Sequence, residues 1–68
     1  MSGQTYRLTE LVGTSDDSVE DAIRSAVKKA SATVHNMDWF EVAEVRGSIS
    51  GGDVAEFQVT MKVGFRVD

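Results

Sequence analysis

The last part of the chain alternates strictly between apolar and polar positions. From Ala55 to Val67 every second residue is apolar, and polar residues or glycine fill the positions between them. A period of two predicts an extended strand with one apolar and one polar face. Because this segment exceeds the roughly 3–10 residues of most strands, we expect it to have a neighbour on each side and to form the centre of a sheet.

Two other segments alternate less regularly. Thr5–Val12 predicts a strand with an irregularity near Glu10, and Gly13 is expected to end it. Asp38–Ile49 predicts a second strand whose apolar positions change parity midway, and one inserted residue, a β-bulge near Ala43–Glu44, would reconcile the two halves.

A hairpin is predicted between the second and third strands. Ser50-Gly51-Gly52 suits a three-residue loop with a glycine at positive φ. The pairing that matches apolar with apolar residues puts Trp39 opposite Gly64 beyond the bulge. Near the loop the same pairing puts Arg46 opposite Glu56.

Between the first two strands the apolar period becomes helical. Thr14 or Ser15 is expected to cap the N-terminus of this helix, where acidic residues face the positive end of the dipole. His35 and Asn36 are expected to close it, with Asn36 as a left-handed cap. The apolar stripe, at three- and four-residue steps, consists of Val19, Ala22, Ile23, Ala26, Ala30, Thr33, Val34 and Met37.

The predicted order is β-α-β-β. A helical crossover leaves the first two strands parallel, and the third strand, antiparallel to both, fits between them. We therefore expect an α+β fold in which residues 1–68 form one domain. Its three-stranded, antiparallel-type sheet has the order 1-3-2 and wraps on one helix that covers one face.

The small size of the chain predicts self-association. A domain of 68 residues buries only about 60% of its unfolded surface and is marginal alone. It contains no cysteine and one histidine, so neither disulfides nor a thiolate or multi-histidine metal site can stabilise it. Association of subunits, each covering part of another's surface, is the remaining way to stabilise the fold.

Net charge and hydropathy argue against several classes of function. The formal net charge of −4 argues against nucleic acid as a partner, since phosphate binding needs clustered cations. No apolar run approaches the roughly 18 residues of a membrane span, and Met1–Arg7 lacks a signal-peptide core. We expect a cytoplasmic protein. No nucleophile, paired histidine or phosphate-binding glycine loop indicates an enzyme.

Trp39 is the residue that composition and core packing do not explain. It is the only tryptophan, and the predicted register directs it to the face away from the helix, opposite a glycine. An indole there can anchor a subunit interface, stack on a flat ligand, or be a plain surface residue.

Three further polar residues on the same face are candidates. Gln58 has a flat amide that can hydrogen-bond the edge of a heteroaromatic ring, or it is simply a solvated strand residue. Arg46 and Arg66 can hold a phosphate, or they form ion pairs such as Arg46 with Glu56.

The order and spacing of several short segments resemble the dodecins. These segments are Glu10-Leu11-Val12-Gly13-Thr14-Ser15, Asp38-Trp39-Phe40-Glu41-Val42, Arg46-Gly47, Phe57-Gln58-Val59 and Lys62-Val63-Gly64-Phe65-Arg66. The resemblance covers essentially the whole chain, and its specificity comes from the combination of segments rather than from any one of them.

The resemblance implies a β-α-β-β subunit, twelve of which form a hollow dodecamer that stores and buffers flavin. It further implies isoalloxazine rings stacked between symmetry-related copies of Trp39, which quench their excited state, with Gln58 at the ring edge. Arg46 and Arg66 match arginines of bacterial members, which favour FMN over riboflavin, and riboflavin or FAD remains possible. Coenzyme A is a further ligand that the resemblance allows, and a purely structural oligomer remains the alternative.

Overall fold

The three strands form one antiparallel sheet. The computed structural model describes residues 3–67. These residues form β1 (Thr5–Ser15), α1 (Val19–Ala30), β2 (Met37–Ser50) and β3 (Asp53–Val67). The strand order is β1-β3-β2, with β3 antiparallel to both neighbours. The predicted fold class, element order and central position of the third strand are confirmed.

The core lies between α1 and the alternate residues of β3. Val59, Met61 and Val63 are fully buried together with Ala22 of the helix, as the period of two in β3 requires. Six partly buried residues pack against them: Leu11, Val19, Ile23, Ala26, Val27 and Met37. The helix of the described chain is too short to cross a membrane.

β1 is longer and more regular than predicted. It pairs with β3 without interruption from Thr5 to Ser15, so the expected irregularity near Glu10 is wrong, and Gly13 does not end the strand. Gly13 is buried, and a Cβ there would collide with the carbonyl oxygen of Ala22. The glycine therefore serves the close approach of helix to strand rather than a turn.

The helix begins three residues later than predicted. Its N-cap is Ser18, whose Oγ accepts a hydrogen bond of 3.0 Å from the backbone N–H of Asp21. Ser15, predicted as a cap, instead stabilises the preceding turn. Its Oγ accepts from the N–H of Asp17 at 2.9 Å and donates to Oδ2 of Asp21 at 2.7 Å. Ser18 thus caps the helix, and Ser15 stabilises the turn that precedes it.

The helix also ends earlier than predicted, at Ala30. Beyond it the carbonyl of Ala30 accepts a hydrogen bond of 2.8 Å from the N–H of Val34 and closes a turn. The spacing of the apolar residues did not predict this turn. Asn36 does adopt a left-handed conformation, with φ 64°. It lies just before β2 and is not a helix cap. Its carbonyl accepts from the N–H of Arg66 at 3.0 Å and ties this corner to β3.

β2 is irregular at three points. The bulge predicted near Ala43–Glu44 is confirmed, since Val42 pairs with Met61 while Glu44 pairs with Thr60. A second register shift lies at Asp38, before Trp39, and a third lies next to the hairpin turn. Bulges bend and twist a strand, so β2 leaves the helix side as it runs toward the hairpin.

The hairpin turn has two residues, not the predicted three. Ser50 pairs with Asp53, and Gly51 and Gly52 both have positive φ, 61° and 79°, as in a type I′ turn. The shorter turn moves the pairing near the loop by one position, and the register shift between Ser48 and Ile49 moves it by one more. Gly47 therefore faces Phe57 instead of Ala55.

The apolar side of β2 is open in the single chain. The helix lies mainly over β1 and β3, and an open groove of about 920 Å³ separates it from Phe40 of β2. Four apolar residues of β2 predicted to face the helix or the core are exposed: Phe40, Val42, Val45 and Ile49. One chain therefore does not complete its own core.

Candidate functional site

Trp39 lies flat on the sheet over Gly64. The two residues are cross-strand partners, as predicted, and a Cβ on Gly64 would collide with Cζ2, Cε2 and Cη2 of the indole. Gly64 is buried by this contact, whereas Trp39 remains 43% exposed. The absence of a side chain at position 64 creates the seat for the ring, and the rest of the indole faces outward, away from α1.

Tyr6 is a neighbour of Trp39 that the sequence interpretation missed. Its ring centroid lies 4.7 Å from that of Trp39, with the planes inclined by 64°. The two residues belong to the outer strands of the sheet, which are about 10 Å apart because β3 lies between them. They meet because Gly64 leaves no side chain in the way. In the register of β1, Tyr6 pairs with Arg66 and Leu8 pairs with Gly64. A correct prediction of this register would have revealed the contact.

The hydroxyl of Tyr6 lies close to a carboxylate. A hydrogen bond to Asp38 raises the pKa of Tyr6 above its usual value of 10.0, and partial burial and the negative charge of Asp38 act in the same direction. The positive charge of Arg66 opposes the shift. Asp38 is the residue at the first register shift of β2, so a bulge brings it toward this corner of the open face.

The raised pKa gives a test of this contact. Because the protonated phenol is the form that donates to Asp38, the bond is present below the folded-state pKa and is lost as pH rises through it. We expect Tyr6, the only tyrosine, to ionise above pH 10 in the native protein, followed by its absorbance near 295 nm. Asp38→Ala should lower the midpoint toward 10, and an unchanged midpoint would show that Asp38 is not the cause.

Arg46 and Gln58 form a hydrogen-bonded chain at the other end of the same face. Nε of Arg46 donates to Oε1 of Gln58 at 2.9 Å, and Nε2 of Gln58 donates to Oε1 of Glu56 at 3.0 Å. The pairing of Arg46 with Glu56 suggested by the sequence is wrong, because Arg46 faces Gln58 in the register. These two bonds fix the amide, and one N–H and one lone pair of Gln58 lie outside them.

The four site residues predicted from the sequence fall into two separate groups. Trp39 and Arg66 are near one another, since the partner of Trp39 is two residues from Arg66 on β3. Gln58 and Arg46 are direct partners. Gln58 and Gly64 are six residues apart on one strand, a separation of about 20 Å at roughly 3.3 Å per residue. One chain does not bring the two groups together.

The acidic residues do not form a metal centre in the part of the chain that the structure describes. Within residues 3–67 no three side chains of histidine, aspartate or glutamate come together as potential metal ligands. At the helix start Glu20 is engaged by Arg24 at 3.0 Å, as an exposed pair one turn apart. The chemistry of the open face therefore rests on the aromatic corner and on the Arg46–Gln58 pair.

Comparison with known proteins identifies relatives over nearly the whole chain. The family model described as Dodecin matches residues 5–68. A dodecin from Thermus thermophilus is 47% identical over 66 residues, covering 97% of this chain and 96% of the relative.

Two solved structures show the same fold. A dodecin from Streptomyces davaonensis is 58% identical with a TM-score of 0.92, over 98% of both chains. A dodecin from Streptomyces coelicolor is 56% identical with a TM-score of 0.93, over 100% of this chain and 97% of that one. Sequence identity at this level over nearly the whole chain indicates a shared family as well as a shared fold.

Proposed function

The chain belongs to the dodecin family, and on this premise we propose that it binds, stores and buffers a flavin, with FMN as the preferred form over riboflavin and FAD. The observation that supports this proposal most directly is the half-exposed indole of Trp39 seated over Gly64. Packing within the chain accounts for only part of this aromatic surface, since 43% of Trp39 stays exposed on the uncovered side of the sheet. The exposed part suits a planar ligand.

Stacking supplies the affinity in this proposal. Contact between aromatic rings is favourable in offset and inclined arrangements, and the seat over Gly64 lets Trp39 lie parallel to the sheet instead of projecting from it. A flavin contributes a planar, light-absorbing ring system, and we propose that contact with the indole quenches its excited state. The protein holds the ring and shields it; no catalytic step is proposed.

Polar residues supply orientation. Gln58 can offer one N–H and one lone pair to a ring edge that carries an adjacent carbonyl and N–H, and Arg46 and Glu56 hold that amide in place. Arg66 lies beside the aromatic corner, where its charge suits the phosphate of FMN. This arrangement favours the phosphorylated flavin over riboflavin.

The site requires more than one copy of the chain. Trp39 and Gln58 are about 20 Å apart along β3, a distance that one three-ring system does not bridge. The exposed apolar side chains of β2 and the groove beside α1 give subunits a surface to share. We propose a homo-oligomer, of twelve subunits as in the family, in which Gln58 of one copy approaches Trp39 of another.

Titration of FMN with the ligand-free protein tests the proposal. We expect the flavin fluorescence to fall in proportion to the protein added, because every bound ring lies against an indole, until the sites are saturated. The emission of Trp39 should fall over the same range. Sizing in parallel should show a species far above the 7.4 kDa of one chain.

The alternatives correspond to other outcomes of the same experiment. An oligomer that leaves FMN, riboflavin and FAD fluorescence unchanged would point to a purely structural role, with Trp39 buried between subunits. Protection against thermal unfolding by coenzyme A but not by FMN would favour that ligand instead.

A further inference from the structure

Trp39 is held by contacts on an open surface. Gly64 supports one side of the indole, and Tyr6 meets it at a centroid distance of 4.7 Å. Trp39 is 43% exposed and Tyr6 is 39% exposed, so neither belongs to the buried core. A half-exposed indole that rests on one glycine would be free to change rotamer on the ps–ns timescale. The inclined ring of Tyr6 is the contact that restricts it.

The hydroxyl of Tyr6 has polar neighbours. It donates to Oε1 of Gln4 at 3.5 Å, and the carboxylate of Asp38 raises the pKa of Tyr6. Asp38 precedes Trp39 directly, and on a regular strand the two side chains would point to opposite faces. The register shift between Met37 and Trp39 breaks that alternation. The carboxylate and the indole can then approach the same tyrosine.

We propose that Tyr6 is a positioning residue that fixes the indole of Trp39 in the orientation on which a planar ligand stacks. Its consequence for affinity rests on the flavin-binding function proposed above. Ordering a mobile side chain at the moment of binding weakens a complex. Gly64 and Tyr6 instead order the indole when the chain folds, so the ring surface is in place before the ligand binds.

Time-resolved fluorescence anisotropy tests the positioning directly, since Trp39 is the only tryptophan. In the unliganded protein we expect slow tumbling to dominate the decay. Tyr6→Leu should add a fast component on the ps–ns timescale and weaken FMN binding by about threefold to tenfold. Tyr6→Phe keeps the ring and loses only the hydroxyl, so its effects should be smaller. Tyr6→Thr also removes the ring and should mobilise the indole as Tyr6→Leu does.

Val12→Thr is the matched control. Val12 lies on the same face of β1 as Tyr6, is 60% exposed and pairs with Thr60, away from Trp39. It should leave both the anisotropy decay and the FMN affinity unchanged. Circular dichroism establishes that each variant is folded, and Tyr6→Thr gives the same comparison if Tyr6→Leu does not fold.

Two results would overturn the proposal. One is an anisotropy decay that is the same in folded Tyr6→Leu, folded Tyr6→Thr and the unsubstituted protein. The other is a mobile indole that binds FMN as tightly as before. If the unsubstituted protein binds no flavin, the proposed function fails, whereas the anisotropy comparison still decides whether Tyr6 orders Trp39.

Discussion

Trp39→Ala is expected to abolish flavin binding at micromolar protein concentrations. Stacking of a heteroaromatic ring on an aromatic side chain contributes about 1–3 kcal/mol per contact. If each ring lies against indoles from two copies of the chain, both contacts are lost together, and the dissociation constant should rise by about 100-fold or more. Fluorescence titration with FMN measures the change, and flavin emission should remain unquenched across the titration.

Trp39→Phe is the matched control for that substitution. Phenylalanine keeps an aromatic face over Gly64 with a smaller ring, so binding should persist at reduced affinity. Both variants should retain the oligomer, because the apolar surface proposed for assembly lies on the opposite face of β2 from Trp39. Tight FMN binding by Trp39→Ala would remove the indole from the proposed site and with it the stacking mechanism.

Phe40→Glu is expected to prevent assembly. Phe40 is 49% exposed in the single chain and lines the groove beside α1. It lies on the opposite face of β2 from Trp39. If a second copy covers this surface, the substitution buries a carboxylate without a partner, at a cost of several kcal/mol per subunit. Analytical ultracentrifugation should then show species near the 7.4 kDa of one chain, and quenching of FMN should disappear with the oligomer.

Phe40→Leu tests whether apolar character alone is required at this position. It shortens the side chain but keeps it apolar, so assembly and flavin binding should survive. An oligomer of unchanged size in Phe40→Glu that still quenches FMN would place the subunit interface elsewhere on the chain.

The sheet could be predicted from the sequence because its central strand carries an unbroken period of two. Val59, Met61 and Val63 lie on one face of β3 and are fully buried, and that pattern requires a covered face and a neighbour on each side. The parity change in β2 likewise identified the bulge at Ala43, because only an extra residue keeps both halves of the strand in register.

Element ends were not predictable because local backbone bonds decide them. Apolar residues continue at helical spacing to Met37, yet the turn closed between Ala30 and Val34 ends the helix before them. The hairpin loop contains Gly51 and Gly52 whether it has two residues or three, so its composition does not distinguish the two kinds of turn. That difference, together with the register shift between Ser48 and Ile49, changed the expected partner of Arg46 from Glu56 to Gln58.

The sequence predicted the pairing of Trp39 with Gly64 but not the other contacts of the candidate site. Trp39 stood out as a lone indole opposite a glycine, and the register confirms that pairing. Tyr6 did not stand out, because its contact with Trp39 crosses an intervening strand and depends on the alignment of β1 with β3. The expected irregularity near Glu10 left that alignment unspecified.

The hydrogen bond from Nε of Arg46 to Gln58 assigns two tasks to one guanidinium. The Nε–H orients a neighbouring amide, and the remaining N–H groups can donate to an anion, while the positive charge is delocalised over the whole guanidinium. A lysine at this position would preserve the electrostatic attraction for an anion, but its ammonium has no planar fork with which to align the amide. Arginine and lysine are therefore not interchangeable here, even though the local charge would be identical.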